Sequence, residues 1–312
     1  MAAITAKMVS ELRTKTGCGM MECKKALVEA DGNFDEAVKV LREKGLAVAA
    51  KKAGRIAAEG VVDIMTSEDG KTTAMIEVNA ETDFVAKNAL FQEFVRGILA
   101  VIIDKKPATV EELNELPYDD NFTVEGKRKD MVFTIGENMT IRRFELIEGI
   151  CSTYIHGKGT TGVVVKYETE DAIAQKPEFA EFAKNIALQI AAGSPPTYVA
   201  KEDVPQSAID EEMAVQVAAA KNDEKLASKP DAVIAKIVEG KLGKLFFDRV
   251  CLLEQPYVKE DSIKVGKYVA DTAKALGGSI KVVAFYLYER GEGLEKKEDN
   301  FAEEIASLVN NK

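Results

Sequence analysis

The eight residues FQEFVRGI, Phe91 to Ile98, return as FAEFAKNI at Phe179 to Ile186, with Phe, Phe and Ile at the same spacing and a constant offset of 88 residues. Apolar residues at i, i+3 and i+7 share one face of a helix. Each copy follows a β-prone stretch, KTTAMIEVN before the first and GVVVKYE before the second. Read as a repeat, the echo requires a body of two related α+β halves. F-x-x-F-x-x-x-I is also an ordinary amphipathic pattern, and eight residues alone weigh the two readings about equally.

What precedes the body is helical. Met8 and Leu12 fall on one face of a helix over residues 5–15 that Gly17 ends, and MMECKKALVEA forms a second helix that stops at Asp31-Gly32. A third opens with Asn33 as N-cap and Glu36 three positions on, carries Phe34, Ala37, Val38 and Leu41 on one side, and runs to Gly45. The Ala-rich, basic LAVAAKKAGRIAAEG then reads as a helical connector. GVVDIMT and KTTAMIEVN make a hairpin about Asp69-Gly70, with Ala74, Ile76 and Val78 alternating with polar neighbours. SAIDEEMAVQVAAAKND and KPDAVIAKIVEGKLGKLFF predict an antiparallel helical hairpin inserted in the second half, with Pro230 in the first turn of its second helix. IKVVAFYLY resumes the sheet, and a final helix from about Phe301 places Phe301, Ile305 and Leu308 on one side.

Composition narrows the function. A single histidine, His156, excludes HExxH metal sites and leaves any His-based catalysis on one residue. Cys18, Cys23, Cys151 and Cys251 lack the spacing of a disulfide framework and read as reduced and structural, while C-x4-C is a poor zinc signature. The longest apolar run, ILAVII at 98–103, is far short of the roughly 20 residues of a membrane span, and no export signal marks the N-terminus, so the cytoplasm is expected. A net charge of −10 argues against broad nucleic-acid binding. Yet residues 1–55 hold 11 Lys/Arg against 7 Asp/Glu, leaving 31 against 45 for the rest. A basic module on an acidic body suits docking to an acidic protein surface, although a solvated face is the commoner reason for such an excess.

HGKGTTG matches G-x-G-x-x-G letter for letter, but a β-branched strand follows it where a pyrophosphate site needs a helix, so it reads as a turn and no direct nucleotide binding is expected. His156 at that turn suits a contact role better than catalysis. Met20 and Met21 can fill the small helical core, yet two adjacent residues on a helix do not point inward together, which leaves one for a partner. In VNAETDFVAKN, Asp83 serves as N-cap or first-turn acid where strand gives way to helix. Core packing stands slightly ahead for Phe84, because most Phe side chains are buried.

From end to end the chain resembles the elongation factor Ts family of bacterial translation. ELRTKTGCGMMECKKAL, LREKG and AAKKAGRIAAEG carry the likeness at the N-terminus, VNAETDFVAKN, IGENMTIRRF and YIHGKGTTGVVV in the middle, and EDVP, KIVEGKL, LLEQPYVK and GEGLEKKEDNFAEE beyond. Ala80 stands where the family often has Cys, and Cys18 where it usually has Ala. The resemblance implies an α+β architecture: a three-helix ubiquitin-associated-like domain with connector at 1–55, core halves at 56–147 and at 148–201 with 249–288, an inserted dimerisation hairpin at 202–248, and a C-terminal helical module at 289–312. It also implies a guanine-nucleotide exchange factor for elongation factor Tu, not an enzyme, that needs no cofactor or metal of its own. The segment Thr82, Asp83, Phe84 and Val85 would enter the GTPase near its magnesium and phosphate site. Arg13, Met20, Met21, Lys24 and His156, with the C-terminal helix, would supply the remaining contacts, and the hairpin would form a homodimer or a 2:2 complex. The rival reading is a ubiquitin-associated-like adaptor or ribosome-binding protein in which TDF is only structural.

Overall fold

The computed structural model describes residues 4–192, 194–223, 226 and 229–295. Three helices open the chain: α1 (Ala6–Thr16), α2 (Met20–Glu29) and α3 (Phe34–Lys52). The Thr5 hydroxyl caps α1, Gly17 ends it at φ 68°, and Asn33 Oδ1 accepts from the N–H groups of Asp35 and Glu36. Leu12, Cys23, Ala26, Leu27, Ala37 and Leu41 form their shared core.

Gly45 does not stop the third helix. It lies inside α3, which packs along the helix Val124–Ile135, and a Cβ there would stand in ordinary contact with Phe133 at 3.4 Å, so the helix runs through this position without needing glycine's freedom. The predicted connector is therefore helical only to Lys52, as a continuation of α3.

The body consists of β1 (Glu59–Thr66), β2 (Thr72–Ala80), α4 (Asp83–Ala86), α5 (Ala89–Lys105), α6 (Val110–Glu115), α7 (Val124–Ile135), β3 (Met139–Glu148), β4 (Ile150–His156), β5 (Thr161–Thr169), α8 (Asp171–Ala174), α9 (Pro177–Ala192), α10 (Gln206–Lys221), α11 (Asp231–Leu242), α12 (Asp248–Val250), β6 (Pro256–Tyr257), β7 (Glu260–Lys264), α13 (Val265–Leu276) and β8 (Ile280–Glu289). Two antiparallel three-stranded sheets, ordered β1-β2-β3 and β4-β5-β8, make the architecture α+β. The repeat is structural. The short helices start at Asp83 and Asp171 and the long ones at Ala89 and Pro177, each pair 88 apart, and both sheets shift register within the middle strand, at Glu77/Val78 and at Lys166/Tyr167. Phe91, Phe94 and Ile98 fill one core, and Phe179, Phe182 and Ile186 the other.

Strand β2 departs from its alternating pattern, because all nine of its residues are buried. Ala74, Ile76 and Val78 face α5 as expected. The opposite face is covered by the second half: Met75 packs with Val62, Ile147, Val164 and Tyr288. Glu77 on that face is fully buried and pairs with Arg142 (3.0 Å) and Arg143 (2.7 Å).

The inserted segment forms two paired helices, α10 and α11, with Pro230 preceding α11 as its N-cap instead of sitting in the first turn. The helix expected from Phe301 lies outside the described residues. Among those described, no helix is long and apolar enough to cross a membrane, and no group of His, Cys, Asp and Glu is arranged to hold a metal ion.

Candidate functional site

Phe84 is the most exposed large apolar side chain described, at 79%, which overturns the expectation that it packs in the core. Its neighbours explain how an aromatic is held out in water. Val85 and Ala86 are sunk into the first core, anchoring α4 from below. Thr82 occupies the N-cap in extended conformation, and its N–H and hydroxyl both donate to the Glu137 carboxylate at 3.0 and 2.8 Å. Asp83 takes the first-turn place, favourable toward the helix dipole. A hydrogen bond from Lys87 holds its carboxyl below the usual range, and the positive charge of Arg290 acts in the same direction. The Lys87 ammonium lies 5.9 Å from the centre of the Phe84 ring.

The internal repeat supplies a comparison within the molecule. Counting 88 residues on, Val85 meets Ile173, buried like itself, whereas Phe84 meets Ala172, exposed like itself. The fold thus needs the buried partner at this turn and has no need of the aromatic.

His156 ends β4 at the turn whose left-handed Gly157, Lys158 and Gly159 connect directly to β5, so the Gly-rich segment is a strand-to-strand turn as expected. The imidazole is exposed, with Nδ1 3.1 Å from the Tyr154 hydroxyl. The turn leans on the first half through Val62 N–H donating to Gly159 O at 2.9 Å. Arg290 joins the two pieces: its N–H donates to Thr160 O at 2.9 Å, and its guanidinium pairs with Glu59 at 2.8 Å at the base of the β1–β2 ladder. A shallow cavity of about 240 Å³ lies between α5 and this turn, lined by Gln92, Arg96, Ile155 and Lys158 among others. The structure therefore brings His156 to the same end of the molecule as α4 and α5.

Arg13, Met20, Met21 and Lys24 lie apart, on the N-terminal helices, all exposed. Both methionines face outward, at 56% and 62%, so neither packs the helical core. The reason is the phase of α2, whose inward positions are taken by Cys23, Ala26 and Leu27. Val28, 54% exposed, lies seven residues beyond Met21 on the same side of α2, with the exposed Lys24 and Lys25 on the turn between them. Its seven-residue spacing from Met21 was a signal open to sequence reading. Glu137 had none, because its link to Thr82 spans 55 residues.

The family described as Elongation factor TS matches residues 81–292. Proteins named Elongation factor Ts are similar along nearly the whole chain. That of Clostridium kluyveri is 44% identical over 314 residues, covering 99% of this chain and 100% of its own. That of Syntrophotalea carbinolica is 44% identical over 310 residues, covering 98% and 99%. That of Clostridium novyi is 45% identical over 314 residues, covering 99% and 100%.

Proposed function

As the chain belongs to the elongation factor Ts family, we propose that it is the guanine-nucleotide exchange factor that promotes GDP release from elongation factor Tu during translation elongation in the cytoplasm. The segment Thr82 to Val85 enters the GTPase near its Mg²⁺ and phosphate site, with Phe84 as the wedge. The observation that carries this reading is the 79% exposure of Phe84 on a turn held from two sides. Exposing so large an apolar surface has a solvation cost that a partner pocket removes.

The physics is coupling. A GTPase holds its nucleotide through Mg²⁺ and backbone amides on the phosphates, so a protein that binds only when that site is displaced weakens nucleotide binding, and nucleotide weakens its binding equally. Accelerating release by ~10⁴ requires lowering the barrier by roughly 5.5 kcal/mol. A buried aromatic anchor with a wide surrounding contact is able to supply that. Met20, Met21, Lys24, Arg13 and His156 form the rest of the contact, and the basic N-terminal helices complement an acidic GTPase face. The α10–α11 hairpin is the element through which two copies associate.

The exposed methionine pair on α2 also suits an adaptor that binds without accelerating release. Release of fluorescent GDP from purified elongation factor Tu, chased with unlabelled nucleotide, separates the two. Acceleration by orders of magnitude that Phe84→Ala largely removes supports exchange. Binding with no change of rate supports the adaptor.

A further inference from the structure

We propose that Glu137 is a positioning residue for the Phe84 segment, and that its clasp on Thr82 fixes the register between Phe84 and the N-terminal helices. This inference rests on the exchange reading above.

The first sign is a cap that does not cap. Thr5, Thr109 and Thr123 each stand at a helix N-cap and accept from a first-turn N–H of their own helix. Thr82 holds the same position before α4 and makes no such bond. Its hydroxyl is turned away to donate to Glu137 Oε1 at 2.8 Å, while its N–H donates to Oε2 at 3.0 Å. The second sign is the site of Glu137 itself. It follows Gly136, the left-handed C-cap of α7, where a carboxylate meets the unfavourable end of the helix dipole. The two donors of Thr82 compensate for that placement.

The clasp is reciprocal. Glu81 Oε1 accepts from Asn138 N–H at 2.6 Å, as Glu137 accepts from Thr82 N–H, so residues 81–82 and 137–138 grip each other in both directions. The network then reaches the exit of α3. Asn138, 3% exposed, donates through Nδ2 to Arg55 O at 2.9 Å, Arg55 pairs with Glu81 at 3.4 Å, and Lys52 donates to Gly136 O. Three segments remote in sequence, 52–55, 81–82 and 136–138, thus share one junction. One leads to the helices that carry Met20 and Met21, and another leads directly to Phe84.

A partner already docked on the N-terminal helices is wedged at its nucleotide site only if Phe84 stands at a preset place relative to them, which makes the spacing a matter of positioning in the bound complex. Misplacing a contact group by about 1 Å is able to cost ~10²-fold in rate. Loosening the clasp should therefore lower the maximal exchange rate more than the affinity.

The test titrates elongation factor Tu carrying fluorescent GDP with the full-length protein, reading the maximal release rate and the half-saturating concentration separately. Thr82→Val removes only the hydroxyl, Glu137→Gln keeps one acceptor, and Glu137→Ala removes both; thermal unfolding checks that each is folded. We expect the maximal rate to fall in that series to about a tenth or less for Glu137→Ala, and the effect to vanish when Glu137→Ala is made in a Phe84→Ala background, as coupling through Phe84 requires. Maximal rates within about twofold of wild type for all three folded variants, or a loss that simply adds to that of Phe84→Ala, would overturn the proposal. If wild type accelerates release and Phe84→Ala does not while the clasp variants match wild type, the clasp alone fails. If wild type does not accelerate release, the exchange reading fails and takes the clasp with it.

Discussion

Phe84 and Ala172 occupy the same position in two copies of one turn, 88 residues apart, and both are exposed: one as a bare aromatic, the other as a methyl group. Beneath them Val85 and Ile173 do the same packing work in the two halves. A position where the fold tolerates alanine carries its aromatic for something outside the fold.

Phe84→Ala should consequently change stability by no more than about 0.5 kcal/mol, as for other surface substitutions. Phe91→Ala, seven residues on and fully buried, should cost ~3–5 kcal/mol through the cavity it leaves. Denaturant unfolding of the two variants measures the contrast. An equally large loss for Phe84→Ala would mean that the ring supports the fold after all.

Glu77 predicts an acid sensitivity. Burial pushes its carboxyl up, but hydrogen bonds from Gly291 N–H, Asn79, Arg143 and Arg142 outweigh burial and leave it lowered from 4.5. A carboxyl lowered in the folded state contributes stability that is complete above the unfolded value and is lost as pH falls through the folded one. Stability should therefore decline as pH drops below about 4.5. Glu77→Gln should cost ~3 kcal/mol at pH 7 by leaving two guanidinium groups without their buried counter-charge, and should flatten that decline. Unfolding curves at pH 7 and pH 4 on both proteins supply the comparison.

Gly60 sits at φ 115°, with Val78 O only 2.1 Å from where a Cβ would be. Gly60→Ala should destabilise by roughly 2–3 kcal/mol or more, since both the backbone conformation and the strand contact resist it. Loss of the thermal midpoint is the readout, and a neutral result would show that β1 shifts freely against β2.

The outer side of α2 should govern affinity. Replacing Met20, Met21 and Val28 together by Ser should raise the half-saturating concentration for GDP release about tenfold or more while the maximal rate holds, because this side binds without touching the nucleotide site. An unchanged half-saturating concentration would remove these residues from the interface.

The local punctuation of the chain was readable in advance for a local reason. Asn33 and Gly17 cap helices through bonds that span only a few residues, and the Phe-Phe-Ile spacing reports one buried face, so the three opening helices, the two long helices of the body and the turn after His156 follow from short stretches of sequence, while the pairing of the halves was one of two equally weighted readings until the fold decided it. The family likeness drew attention to Phe84, and no local pattern could say that it stands in water. Three features needed the whole fold: the burial of both faces of β2, the passage of α3 through Gly45, and the clasp of Glu137 on Thr82. In each case the partner lies far off in the chain: Val164 and Tyr288 against Met75, α7 against α3, Glu137 against Thr82. Periodicity records how a segment meets its nearest layer. What covers the second face, and what is left uncovered, is decided only when remote segments pack.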